Sequence, residues 1–250
     1  MSEARQESIL FGRSVRSMLS ESALIVASIL LAFGIDAWWD ERRDRADEKE
    51  MLLGLQSEYR ANLEALNSRY EYHRQELVGL ERLALATQAG EWTDEPELLD
   101  DSLNWLLTPR TLDLGNGVVD ALLAGGRIEL LTNLRLRDQL ASWRGVLGEV
   151  MDDESDNSEM VFRDIAPYLS RNGIPVSSAF KASADNVWLL PARTIAGDSE
   201  RVNALLNDPE FQTLVELRLG YKYHFNEELD AAIDAAKAIL AEIEVSLSAH

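Results

Sequence analysis

Apolar and polar positions fall into distinct regimes along this chain. The first is an unbroken apolar run, "SALIVASILLAFGI" at residues 22–35, which carries no charge. Its 14 residues make about 21 Å of helix, short of a hydrocarbon core roughly 30 Å thick. Extended from Ser17 to Trp39, the segment has 23 residues and spans about 34 Å. The extension takes in Glu21 and Asp36, each about one turn from an end, where ionisable groups reach the headgroups or protonate. Trp38 and Trp39 stand where an aromatic belt belongs, and Asp40-Glu41-Arg42-Arg43 follows at once. The pattern predicts one transmembrane helix over 17–39, with Glu21, Asp36, Trp38 and Trp39 at the membrane interface. A cleaved signal peptide is the competing expectation, with Arg13 and Arg16 as its basic region and Ala32-Phe33-Gly34 as its cleavage site.

The second regime begins near Asp47 and predicts one helix to about Gln88. Leu63, Leu66, Tyr70, His73, Leu77, Leu80, Ala84 and Thr87 recur at alternating steps of three and four, a heptad-like seam. Gly90 ends it, and Thr93-Asp94-Glu95-Pro96 opens a further helix bearing Leu98, Leu99, Leu103, Leu106 and Leu107, with an N-cap and a proline in its first turn. After the turn-rich "LGNG" at 114–117 comes a short helix ending at Gly125-Gly126. A longer helix starts near Asn133, with Leu136, Leu140, Trp143, Leu147 and Met151 on one face. Residues 171–197 read as irregular. Asp208-Pro209-Glu210 starts the last helix, whose stripe is Leu214, Tyr221, Phe225, Leu229, Ala232, Ala236, Ile239, Ile243 and Leu247. With no long alternating runs, the fold class is all-α: a tail (1–16), a span (17–39) and a helical bundle (40–250) whose long first and last helices pack antiparallel.

Charge narrows the partners. The chain of 250 residues has a net charge of −20, so it repels phosphate backbones and nucleic acid is excluded as a partner. Cysteine is absent, which removes disulfides, thiolate metal sites and cysteine nucleophiles. Arg5, Arg13 and Arg16 precede the span, and Arg42, Arg43, Arg45 and Lys49 follow it, a count that leans toward a cytoplasmic domain.

Candidate chemistry centres on a repeated motif, Tyr70-Glu-Tyr-His73 and Tyr221-Lys-Tyr-His224. With residue 88 opposite 209 and residue 49 opposite 248, His73 faces His224 in one layer. Glu76 lies one turn after His73 and Glu227 or Glu228 one turn after His224, so His73, Glu76, His224 and Glu228 are weak candidates for a metal site. Glutamate follows histidine here, the reverse of the Glu-x-x-His order of di-iron bundles. The alternative for this layer is structural, with the rings of Tyr70 and Tyr221 buried. The acidic run 152–159 fails the calcium-loop template, with Asn157 where glycine is needed and Arg163 where glutamate is needed, and reads as a solvated helix face. Gly115-Asn-Gly117 does not extend to a dinucleotide fingerprint, and no nucleophile elbow or His-Glu-x-x-His is present. No cofactor is indicated, and the terminal His250 reads as frayed.

Two stretches carry a resemblance. One is residues 21–63, with a glutamate, an apolar span, a tryptophan exit and a charged helix with Glu58-x-x-x-Asn62. The other is "VVDALLAGGRIELLTNLRLRDQLASW" at 118–143, with Gly126, Leu130, Asn133, Leu136 and Arg137. Both are similar to an uncharacterised bacterial family of single-span membrane proteins. The resemblance implies a helical domain anchored in the bacterial inner membrane and no activity. A cytoplasmic N-terminus, usual in that family, would put the bundle in the periplasm.

Together these readings lead to a non-enzymatic, membrane-anchored protein acting through contacts, as a scaffold, sensor or assembly factor. Its expected partners are the lipid bilayer and a second copy joined through the long helices, with other protein partners unspecified. The alternative expectation is a membrane-bound metal protein or enzyme using the His73/His224 layer. A secreted domain released by signal cleavage is the third.

Overall fold

The computed structural model describes residues 3–109, 112–174, 195 and 197–250, with side chains from residue 24 onward and that of Ser22. Among the described residues the chain is all-helical, without strands. In order it has α1 (Glu3–Ala89), α2 (Pro96–Leu107), α3 (Gly117–Ala124), a 3-10 turn (Arg127–Leu130), α4 (Leu134–Met160), a π-turn (Val161–Ile165), α5 (Ala166–Arg171), α6 (Ser199–Leu206) and α7 (Pro209–Ser248). The expected span and the expected first bundle helix are therefore stretches of one element, because no glycine-proline or polar turn signal interrupts residues 36–47. The irregular reading of 171–197 falls mostly on 175–194, outside the described residues.

By compactness the chain divides into Met1–Leu52 with His250, and Leu53–Ala249. In the first unit, every described side chain from Leu24 to Trp39 is exposed. Among the described residues no helix is long and apolar enough to cross a membrane. The charge-free run with described side chains, residues 24–35, makes only about 18 Å of helix, and the longer expected span draws on residues 17–23. His250 is not frayed: its Nε2 lies 3.2 Å from a Glu48 carboxylate oxygen.

The second unit is the bundle. Asp208 caps α7, its carboxylate accepting from the amides of Glu210 at 2.7 Å and Phe211 at 3.3 Å, with Pro209 at the first helical position. Asn133 caps α4 by accepting from the Leu136 amide at 3.1 Å. The N-cap expected at α2 differs: Glu95 takes the position and its side chain makes no capping bond.

The last helix runs antiparallel to α1. Gln212 donates to the Thr87 carbonyl at 3.1 Å, Arg218 meets Glu76, and Arg60 meets Glu244. At the Thr87 end an apolar core gathers Leu80 and Leu83 with Leu103, Leu106, Ile165, Leu206, Phe211 and Val215. Burying each such side chain contributes about 1.5–3 kcal/mol. Gly79 serves this end: a Cβ there would lie 2.4 Å from the Trp105 ring, so only glycine lets α2 lay that indole across α1.

Toward the other end Tyr59 packs on Trp143 with ring centroids 5.2 Å apart. Glu58 accepts from the Val118 amide at 2.7 Å and the Val119 amide at 3.2 Å, satisfying donors that the first turn of α3 leaves open. One turn on, Asn62 donates to the Gly115 carbonyl at 2.7 Å and accepts from its amide at 2.9 Å. The Glu58-x-x-x-Asn62 pattern is thus a clamp on the loop before α3.

Candidate functional site

Between the two apolar ends lies a layer of charge. Its members come from the seams of α1 and α7. On α7 the positions that face inward are Phe211, Val215, Arg218, Lys222, Phe225 and Leu229, all buried and spaced alternately by four and three. The period is unbroken, so Arg218 and Lys222 enter the core with the apolar residues that flank them. On α1 the same rule buries His73 and Glu76.

The four groups meet closely. The Glu76 carboxylate takes Arg218 at 2.8 Å on one oxygen and Lys222 at 2.9 Å on the other. His73 Nδ1 lies 2.8 Å from that second oxygen and 3.2 Å from Lys222 Nζ. An ammonium only donates, and a bare Nδ1 at 2.8 Å from a carboxylate would set two lone pairs against each other. We therefore assign the proton of His73 to Nδ1, donating to Glu76. Its Nε2 is then an acceptor, buried without a hydrogen-bond partner. Phe225 packs edge-on against the imidazole, with centroids 4.7 Å apart.

Burial and charge set the protonation states. Burial lowers the pKa of Lys222 to about 8, against the pull of Glu76. Burial also lowers that of His73, opposed by its hydrogen bond to Glu76. For Glu76 burial acts upward, but Lys222, the His73 hydrogen bond and Arg218 outweigh it, and its pKa falls below the usual value. The acceptor side is extended by α4, where Glu154 and Asn157 are buried in a run that reads as solvated. Burial raises the pKa of Glu154, although the Leu112 amide and the cations Arg69 and Lys222 oppose the rise.

A lysine of lowered pKa beside a histidine is chemically suited to act as base or nucleophile. Here all four side chains are at most 1% exposed. What the cluster does is hold register. Sliding α7 along α1 by one turn would strand a buried charge, at a cost of about 3–5 kcal/mol.

The expected His73/His224 layer splits in two. The height is right, since Lys222 and Phe225 contact His73, but the face is wrong. His224 lies two residues past Lys222, roughly 200° around the helix, and its side chain is 60% exposed. It sits 3.3 Å from Glu228 and 3.9 Å from Asp153 of α4. Thus His73 pairs with Glu76 and His224 with Glu228, and no contact joins the two pairs. The structural alternative also changes, for Tyr221 is exposed and Tyr70 only half-buried. Tyr72 instead packs on Trp105, with centroids 5.1 Å apart.

At the membrane-interface positions, the side chain of Glu21 lies outside the described residues. Asp36, Trp38 and Trp39 are exposed. The two indoles have centroids 5.9 Å apart, and the Arg42 guanidinium lies 5.6 Å from the Trp38 ring, a cation–π contact. Arg218, Lys222, Asp153 and Glu154 escaped the sequence reading, which gave seam positions to apolar residues. Unbroken heptad spacing through Arg218, Lys222 and Glu154 was the signal that would have found those three, whereas Asp153 lies beside the seam. No family model, no curated protein and no solved structure matches this chain.

Proposed function

We propose that this is a single-span membrane protein whose N-terminal helix anchors an acidic helical bundle that works through protein contacts. The carrying observation is the exposure of residues 24–39. Leu24, Leu30, Leu31, Phe33 and Trp39 are each more than 60% exposed. A helix apolar on all sides belongs in lipid or in a protein core, and the aromatic pair at its end suits a headgroup boundary. The 23 residues from Ser17 to Trp39 are long enough for the hydrocarbon layer. The sealed charge layer supports a contact role over catalysis, since it specifies helix register and offers no reacting atom to solvent. The bundle faces the periplasm of a bacterial inner membrane in this reading, and the long α1 and α7 are the surfaces for self-association.

Protease treatment of intact spheroplasts carrying a C-terminally tagged chain tests it, together with alkaline carbonate extraction of the membranes. The expected result is a carbonate-resistant chain whose tag is lost before lysis. A tag protected until lysis reverses the orientation. A carbonate-soluble chain overturns the anchor, and a shortened soluble product identifies signal cleavage.

A further inference from the structure

The pair His224 and Glu228 gains a third member from α4. Asp153, His224 and Glu228 offer ligand atoms that all lie within 4.8 Å of one another. His224 and Glu228 are one turn apart on α7, and α4 brings Asp153 against them. For metal–ligand bonds of about 2.0–2.2 Å, tetrahedral geometry needs ligand atoms roughly 3.3 Å apart. The His224–Glu228 separation is already 3.3 Å, and the His224–Asp153 separation of 3.9 Å needs only a small side-chain rotation.

The electrostatics of the spot call for a cation. Asp153 and Glu228 put two carboxyl groups against each other, and Asp153 Oδ2 and Glu228 Oε2 are buried without a hydrogen-bond partner. Glu149 stands one turn before Asp153 on the same face of α4 and adds to the negative field on Glu228.

We propose that Asp153, His224 and Glu228 bind one divalent transition-metal ion, with water completing its coordination. Imidazole distinguishes this set from a calcium or magnesium site, and one nitrogen with two carboxylates suits zinc, manganese or iron(II). The ion bridges α4 to α7 at the outer surface, so its effect is to clamp the bundle. His73 takes no part.

The test uses the full chain in detergent micelles and zinc ion as the probe, with a chromophoric chelator as competitor and cobalt(II) absorption as the spectroscopic readout. We expect one zinc per chain, a higher melting temperature with zinc and reversal by chelator. His224→Ala and Glu228→Gln should weaken binding by more than the roughly 10–100-fold lost with a mere hydrogen-bond partner of a ligand. His224→Ala is a surface-facing change, Glu228→Gln keeps the shape of a largely buried side chain, and unchanged helical circular dichroism checks the fold of both. His250→Ala, which removes the histidine beside Glu48, should bind as the native chain does. Absence of saturable zinc binding overturns the proposal, as does a His224→Ala chain that binds like the native one. Either failure leaves the membrane-anchor reading untouched.

Discussion

The N-terminal helix and the bundle invert each other. Residues 24–39 leave their leucines, isoleucines and tryptophans exposed, whereas the bundle carries Glu76, Arg218 and Lys222 fully inside. In water each arrangement is costly: exposed apolar area forgoes about 25 cal/mol per Å², and an unpaired buried charge costs several kcal/mol. They are tolerable for different reasons. The bundle compensates its charges internally, with one carboxylate meeting both cations and an imidazole. The helix has no internal compensation, and in the proposed reading the bilayer supplies its apolar surrounding. The difference teaches that a residue's environment is set by its neighbours in space, and that hydropathy alone misassigns the charged layer of the bundle.

The strongest way to break this contrast is to remove the compensation. Glu76→Ala should destabilise the bundle by about 3–5 kcal/mol, since Arg218 and Lys222 stay buried without their counter-charge. Replacing all three with leucine or methionine should recover that loss, and stability equal to or above the native chain is expected. Urea unfolding of the full chain in detergent measures both. A Glu76→Ala chain as stable as the native one would show that the cluster does not hold the bundle.

A smaller effect sharpens the other side. Leu30→Arg puts a charge near the middle of the proposed span, a cost of about 2.5–3.5 kcal/mol for membrane insertion. Loss of carbonate-resistant membrane association is expected. Leu217→Arg on the exposed face of α7 (Leu217 is 51% exposed) should change stability by no more than about 0.5 kcal/mol. If both chains fractionate alike, the exposed residues of the N-terminal helix are not bilayer contacts.

The smallest effect is in pH. His73 has a lowered folded pKa, so below 6.5 the unfolded chain takes a proton that the folded chain refuses. Stability from this group is full above 6.5 and is lost as pH falls toward the folded value, by at most about 1.4 kcal/mol per pH unit. Lys222 acts on the alkaline side. Its folded pKa of about 8 lies below the ordinary 10.5, so stability rises from about pH 8 toward 10.5. Glu154 and Glu228, with raised pKa values, oppose the acid trend above 4.5. The difference between the native chain and His73→Gln in urea midpoint against pH isolates the histidine. Parallel curves would show that His73 takes up its proton equally in both states.

Local signals were enough for most of the fold. Pro209 after Asp208, Asn133 before Leu134 and the glycines at 90 and 125–126 mark helix ends because capping and left-handed turns depend on near neighbours. The heptad seams put α1 antiparallel to α7 at nearly the right height, because helix length and period bring matching layers together. The Glu58 and Asn62 clamp was visible as a spacing, but its object, Gly115 and the first turn of α3, was not.

What tertiary structure alone decided was which face carries what. Hydropathy favoured Tyr221 and Met151 for the seams, and both are exposed. Their places go to Lys222 and Val150. A charged side chain enters a core only when its counter-charge arrives from another helix, and that meeting lies 142 residues away in the chain for Arg218 and Glu76. The same holds for Asp153, which becomes a neighbour of His224 only once α4 lies along α7. Period and punctuation determine elements and their order, because both act over a few residues. Ion pairing, burial and ligand geometry depend on contacts between distant segments, and those exist only in the folded chain.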